Sequence, residues 1–207
     1  MSADRAWRLW RLAGLRVPRK RPRRRVSVRR PRPQPAIAVR HVWVYDFVFD
    51  ACANSQQLKC LTVIDEHTHE YLTIDVAGSI RSVRVIEILS KLVSVHGAPR
   101  YLRSDNGPEF VSRDILKWAA DSGLEMVLSD SGKPWQNGAD ESFNGEFRDE
   151  CLSLEWFRTR AEATVEIEQW PRHYNAVRPH PSLAYLAAHE LKQRYCPIDA
   201  TQAVLQD

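Results

Sequence analysis

The sequence has little in it that would staple or anchor a fold. Its 207 residues hold four cysteines, Cys52, Cys60, Cys151 and Cys196, far apart and without a C-x-x-C pair. That spacing argues against a zinc knuckle and a disulfide framework, and it suits a reducing cytosol. No apolar stretch approaches the ~20 residues that span a bilayer, and no short apolar signal segment follows the N-terminal charges. Neither a membrane span nor secretion is expected, so the cytoplasm is the expected compartment. Internal repeats are missing too. What remains, 43% hydrophobic and 27% charged, is the balance of a globular chain. The length suits about one to one-and-a-half domains.

The net charge of +4 conceals an asymmetry. Residues 1–40 carry fourteen Lys/Arg and a single acid, Asp4. The remaining residues hold sixteen basic and twenty-five acidic side chains. A basic arm precedes an acidic body, which points to a polyanionic partner, most simply nucleic acid. Within the arm, Trp7, Leu9, Trp10 and Leu12 alternate with arginines. Then come Arg23, Arg24, Arg25, Arg29 and Arg30 among prolines, where like charges and missing amide donors favour an extended backbone-tracking segment. The expected division is arm 1–40, core 41–190 and tail 191–207.

From Val42 the pattern changes. Val42–Asp50 (VWVYDFVFD) reads as a strand with Trp43, Tyr45, Phe47 and Phe49 on one face and Val42, Val44, Asp46 and Val48 on the other. Two apolar faces suggest a central strand covered on both sides. Leu58–Asp65 and Tyr71–Val76 read as two more strands joined by a short connection, completing an antiparallel meander. Ser79–His96 has helical periodicity, with Val83, Ile86, Leu89 and Val93 as its apolar stripe and Arg84, Glu87 and Lys91 spaced for surface ion pairs. A strand at Arg100–Ser104, a helix at Asp114–Ser122, a strand at Leu124–Leu128 and helices around Asp140–Leu152 and Arg160–Trp170 follow. This order predicts an α/β mixed sheet of five strands flanked by helices.

Three carboxylates stand out. Asp46 interrupts an apolar strand, where an unpaired charge costs several kcal/mol, so a cation or local hydrogen bonds must compensate it. Asp105 ends a strand and opens the turn Asn106-Gly107-Pro108, the kind of edge where open α/β sheets place ligands. Glu141, Asn144 and Arg148 share one helix face, while Phe143 and Phe147 offer the other to the core. Asp50 and Asp65, at strand ends, suit turn-capping. An acid on a central strand, one at a neighbouring strand's end and one on a following helix can converge on hard divalent cations. Two such ions ~3.5–4 Å apart serve phosphoryl transfer.

Several stretches carry a family resemblance: VWVYDFVFD, LKCLTVIDE, LRSDNGPEF, GKPWQNG with ESFNGEFRDECL, and HYNAVRPH. Together they resemble the DDE transposases of bacterial insertion sequences, the second-reading-frame products whose core is similar to retroviral integrase. Thirty-five residues separate Asp105 from Glu141, the spacing of the D-D-35-E class. Arg148 falls where that class carries a basic residue seven positions after its glutamate. The resemblance implies a ribonuclease-H-like fold and Asp46, Asp105 and Glu141 as a catalytic triad holding Mg²⁺ or Mn²⁺, two ions in all. It implies that Arg148 and Asn144 face DNA phosphate, and that Lys133, Trp135 and Gln136 position DNA ends. The implied chemistry is hydrolysis that frees a 3′-hydroxyl, followed by attack of that hydroxyl on another phosphodiester. Implied partners are element ends and target DNA, further copies of the chain assembled on DNA, and a separate helix-turn-helix polypeptide of the same element.

The chain departs from the family pattern in places. Most relatives carry a helix-turn-helix region ahead of the arm. His41 stands where Asn is usual, Ser131 where Pro is usual, and Pro171 where Arg is usual. Pro181 and Ala184 depart from a stretch that normally reads Ser-Ser-Leu-Gly. Pro171 is expected to kink or end its helix, since an interior proline costs ~3 kcal/mol or more. Together the departures suggest a shortened or decaying copy. Two other readings stay open: a non-catalytic nucleic-acid-binding remnant, and a ribonuclease-H-like nuclease with other substrates.

Overall fold

The computed structural model describes residues 5, 7, 36–105, 112–128 and 138–195; for residues 138–141 it describes the helical backbone alone. The chain divides into two units, Met1–Pro31 and Arg32–Asp207. In the first, Arg5 and Trp7 are helical. The arginines Arg23, Arg24, Arg25, Arg29 and Arg30 lie outside the described residues.

The second unit is built on strands β1 (Val42–Ala51), β2 (Gln57–Asp65), β3 (Glu70–Ala77), β4 (Tyr101–Ser104) and β5 (Glu125–Leu128). They form one sheet in the order β3-β2-β1-β4-β5. The meander β1-β2-β3 is antiparallel, and β4 and β5 join it in parallel. Helix α1 (Ser82–His96) makes the crossover to β4, and α2 (Arg113–Asp121) the crossover to β5. After β5 come α3 (Gly138–Phe147), which runs into a π-helical turn at Arg148–Leu152, then α4 (Arg160–Val177) and α5 (Ala188–Tyr195).

Alternation along β1 produces the two-sided core that its sequence predicts. Trp43, Tyr45 and Phe47 pack with Val85, Leu89 and Leu92 of α1 and with Ile115 of α2. Val48, on the other face, packs with Phe143 and Phe147 of α3 and with Ile167 and Tyr174 of α4. Phe49 is different: it is 53% exposed.

Helix α1 corrects two expectations. Its buried residues are Val85, Leu89 and Leu92, whereas Val83 is exposed. Apolar residues stand at positions 83, 85, 86, 88, 89, 92 and 93, an arc wide enough for two registers, and contact with β1 selects one. The hydrogen-bonded ion pair of Arg84 lies off its own helix: it grips Asp75 of β3 through Nε–Oδ2 (2.7 Å) and Nη2–Oδ1 (2.8 Å). Gly97, at φ +83°, ends α1 with its N–H on the Val93 carbonyl.

At Pro171 one of the two expected outcomes is excluded: helix α4 does not end there but runs on to Val177. The residues beyond the proline are held from outside the helix. Tyr174 is buried in an aromatic cluster with Tyr71 and Trp170, at centroid separations of 4.8 Å from each. Asn175 pairs with the Tyr71 backbone of the sheet-edge strand β3, accepting from its N–H (2.9 Å) and donating to its carbonyl (2.8 Å). These contacts outweigh one missing intrahelical bond. Helix α5, which the sequence pattern does not announce, starts with Glu190 accepting the Ala187 N–H at 2.9 Å, and Lys192 ties it to Glu70 at 2.8 Å.

Candidate active site

Asp46 sits halfway along the central strand, half-buried between apolar neighbours. Antiparallel register places Thr62 of β2 directly opposite it. The Thr62 hydroxyl lies 3.2 Å from the Asp46 carbonyl oxygen and 3.3 Å from Oδ1 of Asn144. Asn144 in turn donates from Nδ2 to Asp46 Oδ2 at 2.7 Å. The amide thus bridges a strand hydroxyl and the carboxylate.

Helix α3 can deliver that amide because its other face is anchored. Phe143 and Phe147 are buried. The Tyr71 hydroxyl donates to the Phe143 carbonyl at 2.6 Å, and Tyr174 donates to Glu146 Oε2 at 2.5 Å. Burial, reinforced by Glu146, raises the Tyr174 phenol, so it stays a donor. Arg178 forms ion pairs with Glu146 and with Glu150 of the π turn. Held in this way, the polar stripe of α3 faces the end of β1: one turn past Asn144, Arg148 donates from Nη1 to the Phe49 carbonyl at 3.3 Å. Glu141 lies one turn before Asn144 on the same stripe, ~4.5 Å along the axis. Its side chain lies outside the described residues.

Asp105 follows β4 immediately and is exposed. The parallel pairing of β1 with β4 ends at Val44 with Arg103, two residues before Asp46 on one strand and two before Asp105 on the other chain segment. An ion pair that the sequence reading missed supports this strand end. Arg103, 5% exposed, donates from Nη1 to Glu66 Oε2 at 2.6 Å. Burial raises the Glu66 carboxyl, and Arg103 opposes the shift. Asp65 matches its capping expectation, accepting from the backbone N–H groups of His67, Thr68 and Arg40. Asp50 accepts from the Ala51 N–H.

Among the described residues no three His, Cys, Asp or Glu side chains gather into a metal cluster. Lys133, Trp135 and Gln136, expected to position DNA ends, lie outside the described residues. No described helix is long and apolar enough to cross a membrane.

This sheet order, with an acid midway along β1, one just after β4 and a following helix bonded to the first, defines a ribonuclease-H-like core of the integrase type. Two family models described as "Integrase core domain" match residues 38–134 and 122–187. An uncharacterized 31.7 kDa protein of insertion element IS407 from Burkholderia multivorans is 41% identical over 98% of this chain and 73% of its own length. An uncharacterized 39.2 kDa protein of insertion element IS476 from Xanthomonas euvesicatoria is 40% identical over 96% of this chain, which spans 57% of that protein. The chain belongs to the family of insertion-element transposases with an integrase core domain. The HTLV-2 integrase catalytic core, solved in complex with magnesium in a trimeric form, shares the fold. Its TM-score is 0.55 at 14% identity, over 75% of this chain and 97% of that one.

Proposed function

We propose that this chain carries the catalytic region of a DDE transposase, in which Asp46, Asp105 and Glu141 hold two Mg²⁺ or Mn²⁺ ions and direct DNA strand cleavage and strand transfer. The observation that carries the reading is the Asn144–Asp46 bond. It sets the helix bearing Glu141 against the strand bearing Asp46, and Asp105 follows directly on β4, the strand paired with β1. The donor set fits the ions: carboxylate oxygens are the ligands that hard divalent cations take. Bound there, the ions would supply an activated water or 3′-hydroxyl and charge to offset that developing on the phosphodiester.

The protein's own residues do the rest. Asn144 orients Asp46, and Thr62 keeps Asn144 from turning. Arg148, at the mouth of the site, is the cation for a DNA phosphate. Lys133, Trp135 and Gln136, ahead of α3 in the chain, position the DNA end, and Arg23, Arg24, Arg25, Arg29 and Arg30 of the arm track the backbone. The DNA partners are the element's ends and its target, engaged by several copies of the chain. A separate helix-turn-helix polypeptide is part of the same proposal, as is a cytoplasmic, nucleoid-associated location.

The test is a strand assay in Mg²⁺ or Mn²⁺, reading nicking of supercoiled plasmid and joining of a 3′-hydroxyl duplex end to it. Asp46→Asn, Asp105→Asn and Glu141→Gln are each expected to abolish both products while DNA affinity stays within about twofold. Undiminished activity in all three variants overturns the assignment.

A further inference from the structure

Beyond Asp46, β1 continues past its pairing with β4, and its last three residues are exposed. Phe49 is among them, with 53% of its surface open although it belongs to the central strand. Its ring stands on the same face as Phe47, centroids 6.3 Å apart and planes tilted by 50°. Lys59 lies directly opposite Phe49 in the β1–β2 register. Its Nζ sits 3.9 Å from the Phe47 centroid and 5.2 Å from that of Phe49. On the other side of the strand, Arg148 holds the Phe49 carbonyl.

We propose that Phe49 and Lys59 form a platform for an unpaired DNA base a few nucleotides from the reacting phosphate, the base stacking on the Phe49 ring and its phosphate meeting Lys59. The proposal rests on the transposase reading of the neighbouring site. Aromatic rings beside cations are what a single strand recognises: every base has a face to stack, and every phosphate a charge to offset. A lone exposed phenylalanine needs no explanation. This one has a cation directly across the ladder, a carbonyl fixed by a second cation, and a place three residues from Asp46. Three residues of strand are about 10 Å, roughly three base steps of 3.4 Å. Asp46 faces α3 and Phe49 the opposite face, so a DNA strand lying across the end of β1 meets both. Among the described acids, Asp75 of β3 is engaged by Arg84, and Asp50, next in the chain, has the parity of Asp46.

The experiment is a titration of the full chain, in buffer with EDTA so that no cleavage intervenes, with a single-stranded oligonucleotide containing 2-aminopurine. Stacking on Phe49 is expected to quench the fluorescent base. Phe49→Ala should remove the quench and weaken binding about 5- to 150-fold. Phe49→Trp should retain both. Lys59→Met should lower the salt-dependence slope by about 0.7. Unchanged affinity and fluorescence in Phe49→Ala overturn the platform. The metal-dependent strand assay separates this from failure of the transposase reading. A wild-type chain that cleaves DNA while Phe49→Ala binds normally loses the platform alone. One that binds through Phe49 yet never cleaves keeps the platform and loses the catalytic assignment.

Discussion

Asn144 on α3 donates its side-chain N–H to Oδ2 of Asp46 on β1 across 2.7 Å, and accepts from the Thr62 hydroxyl on its other side. Asn144 is 9% exposed, so neither partner finds water easily in its place. Removing the amide leaves a partly buried carboxylate without that donor, a loss of about 1–3 kcal/mol. Asn144→Ala should therefore melt lower than wild type and lose ~10–100-fold in strand transfer, the range for residues that orient a metal ligand. Asn144→Asp should do worse at neutral pH and recover partly in acid, because two facing carboxylates cannot both ionise cheaply. A pH–rate profile of Asn144→Asp that parallels wild type would show that the pair does not matter.

Cation binding should register in stability as well as activity. A ligand that binds only the folded state stabilises it by RT ln(1 + [L]/Kd), about 2.7 kcal/mol at a hundredfold excess over Kd. Titrated Mg²⁺ is expected to raise the melting temperature of wild type and to leave Asp46→Asn nearly unmoved. Equal shifts in the two proteins would remove Asp46 from the cation site.

Ala184 occupies the left-handed region, at φ +54° and ψ +39°, after the short 3₁₀ turn Pro181–Leu183. A side-chain-bearing residue there costs roughly 1–2 kcal/mol, against roughly 0.5–1 kcal/mol of extra chain entropy for glycine. Ala184→Gly should accordingly stabilise the protein, by about 0.5–1 kcal/mol in denaturant unfolding. A lower midpoint in the variant would mean that the Ala184 methyl is worth more than its backbone strain.

These relationships differ in how far the sequence discloses them. The two faces of β1 and the meander are legible because strand alternation is local. So are Phe143 and Phe147, which sit at helical spacing on an otherwise polar stretch. The burial register of α1 is not, since Val83 and Val85 are equally apolar and only the sheet decides between them. Nor are Arg103–Glu66 or Asn144–Asp46, whose partners lie 37 and 98 residues apart in the chain. Sequence marks Asp46 as a charge needing compensation; only the fold supplies Asn144. Pro171 misleads for the same reason. Its penalty is local and readable, while the contacts of Tyr174 and Asn175 that carry the helix past it are tertiary.

Asn175 also closes an edge. Strand β3 borders the sheet, and its Tyr71 amide and carbonyl are satisfied by the Asn175 side chain. Asn175→Ala would free one donor and one acceptor on a sheet edge, the geometry that recruits strands from other molecules. Unfolding should become easier by ~1–3 kcal/mol, and light scattering on warming should begin earlier than in wild type. A variant that melts lower without added scattering would separate the stability role from edge protection.

His69 and His180 meet edge to face at 5.2 Å, with Phe143 5.0 Å from His69 and Tyr174 5.2 Å from His180. Burial pushes both imidazoles down to about 4, and a neighbouring charge works the same way on each, Arg178 on His180 and a protonated His180 on His69. Glu146 and Asp65 pull weakly in the other direction on His69. In the unfolded chain both rings titrate near 6.5. Above that pH both states hold the rings neutral and the stabilisation is complete. As pH falls from about 6.5 towards 4 the unfolded chain takes up protons that the folded one refuses, so stability drains away, by at most ~1.4 kcal/mol per pH unit for each ring. Because the pair packs on Phe143, next to Asn144, loosening should reach α3 before the sheet. The melting temperature should therefore fall steeply between pH 6.5 and pH 4.5. In His180→Gln, which cannot charge, the fall should be shallower by about one proton's worth of slope. Hydrogen exchange at pH 5 should show α3 amides opening ahead of those in β1. An identical pH slope in wild type and His180→Gln would assign the acid sensitivity to other groups.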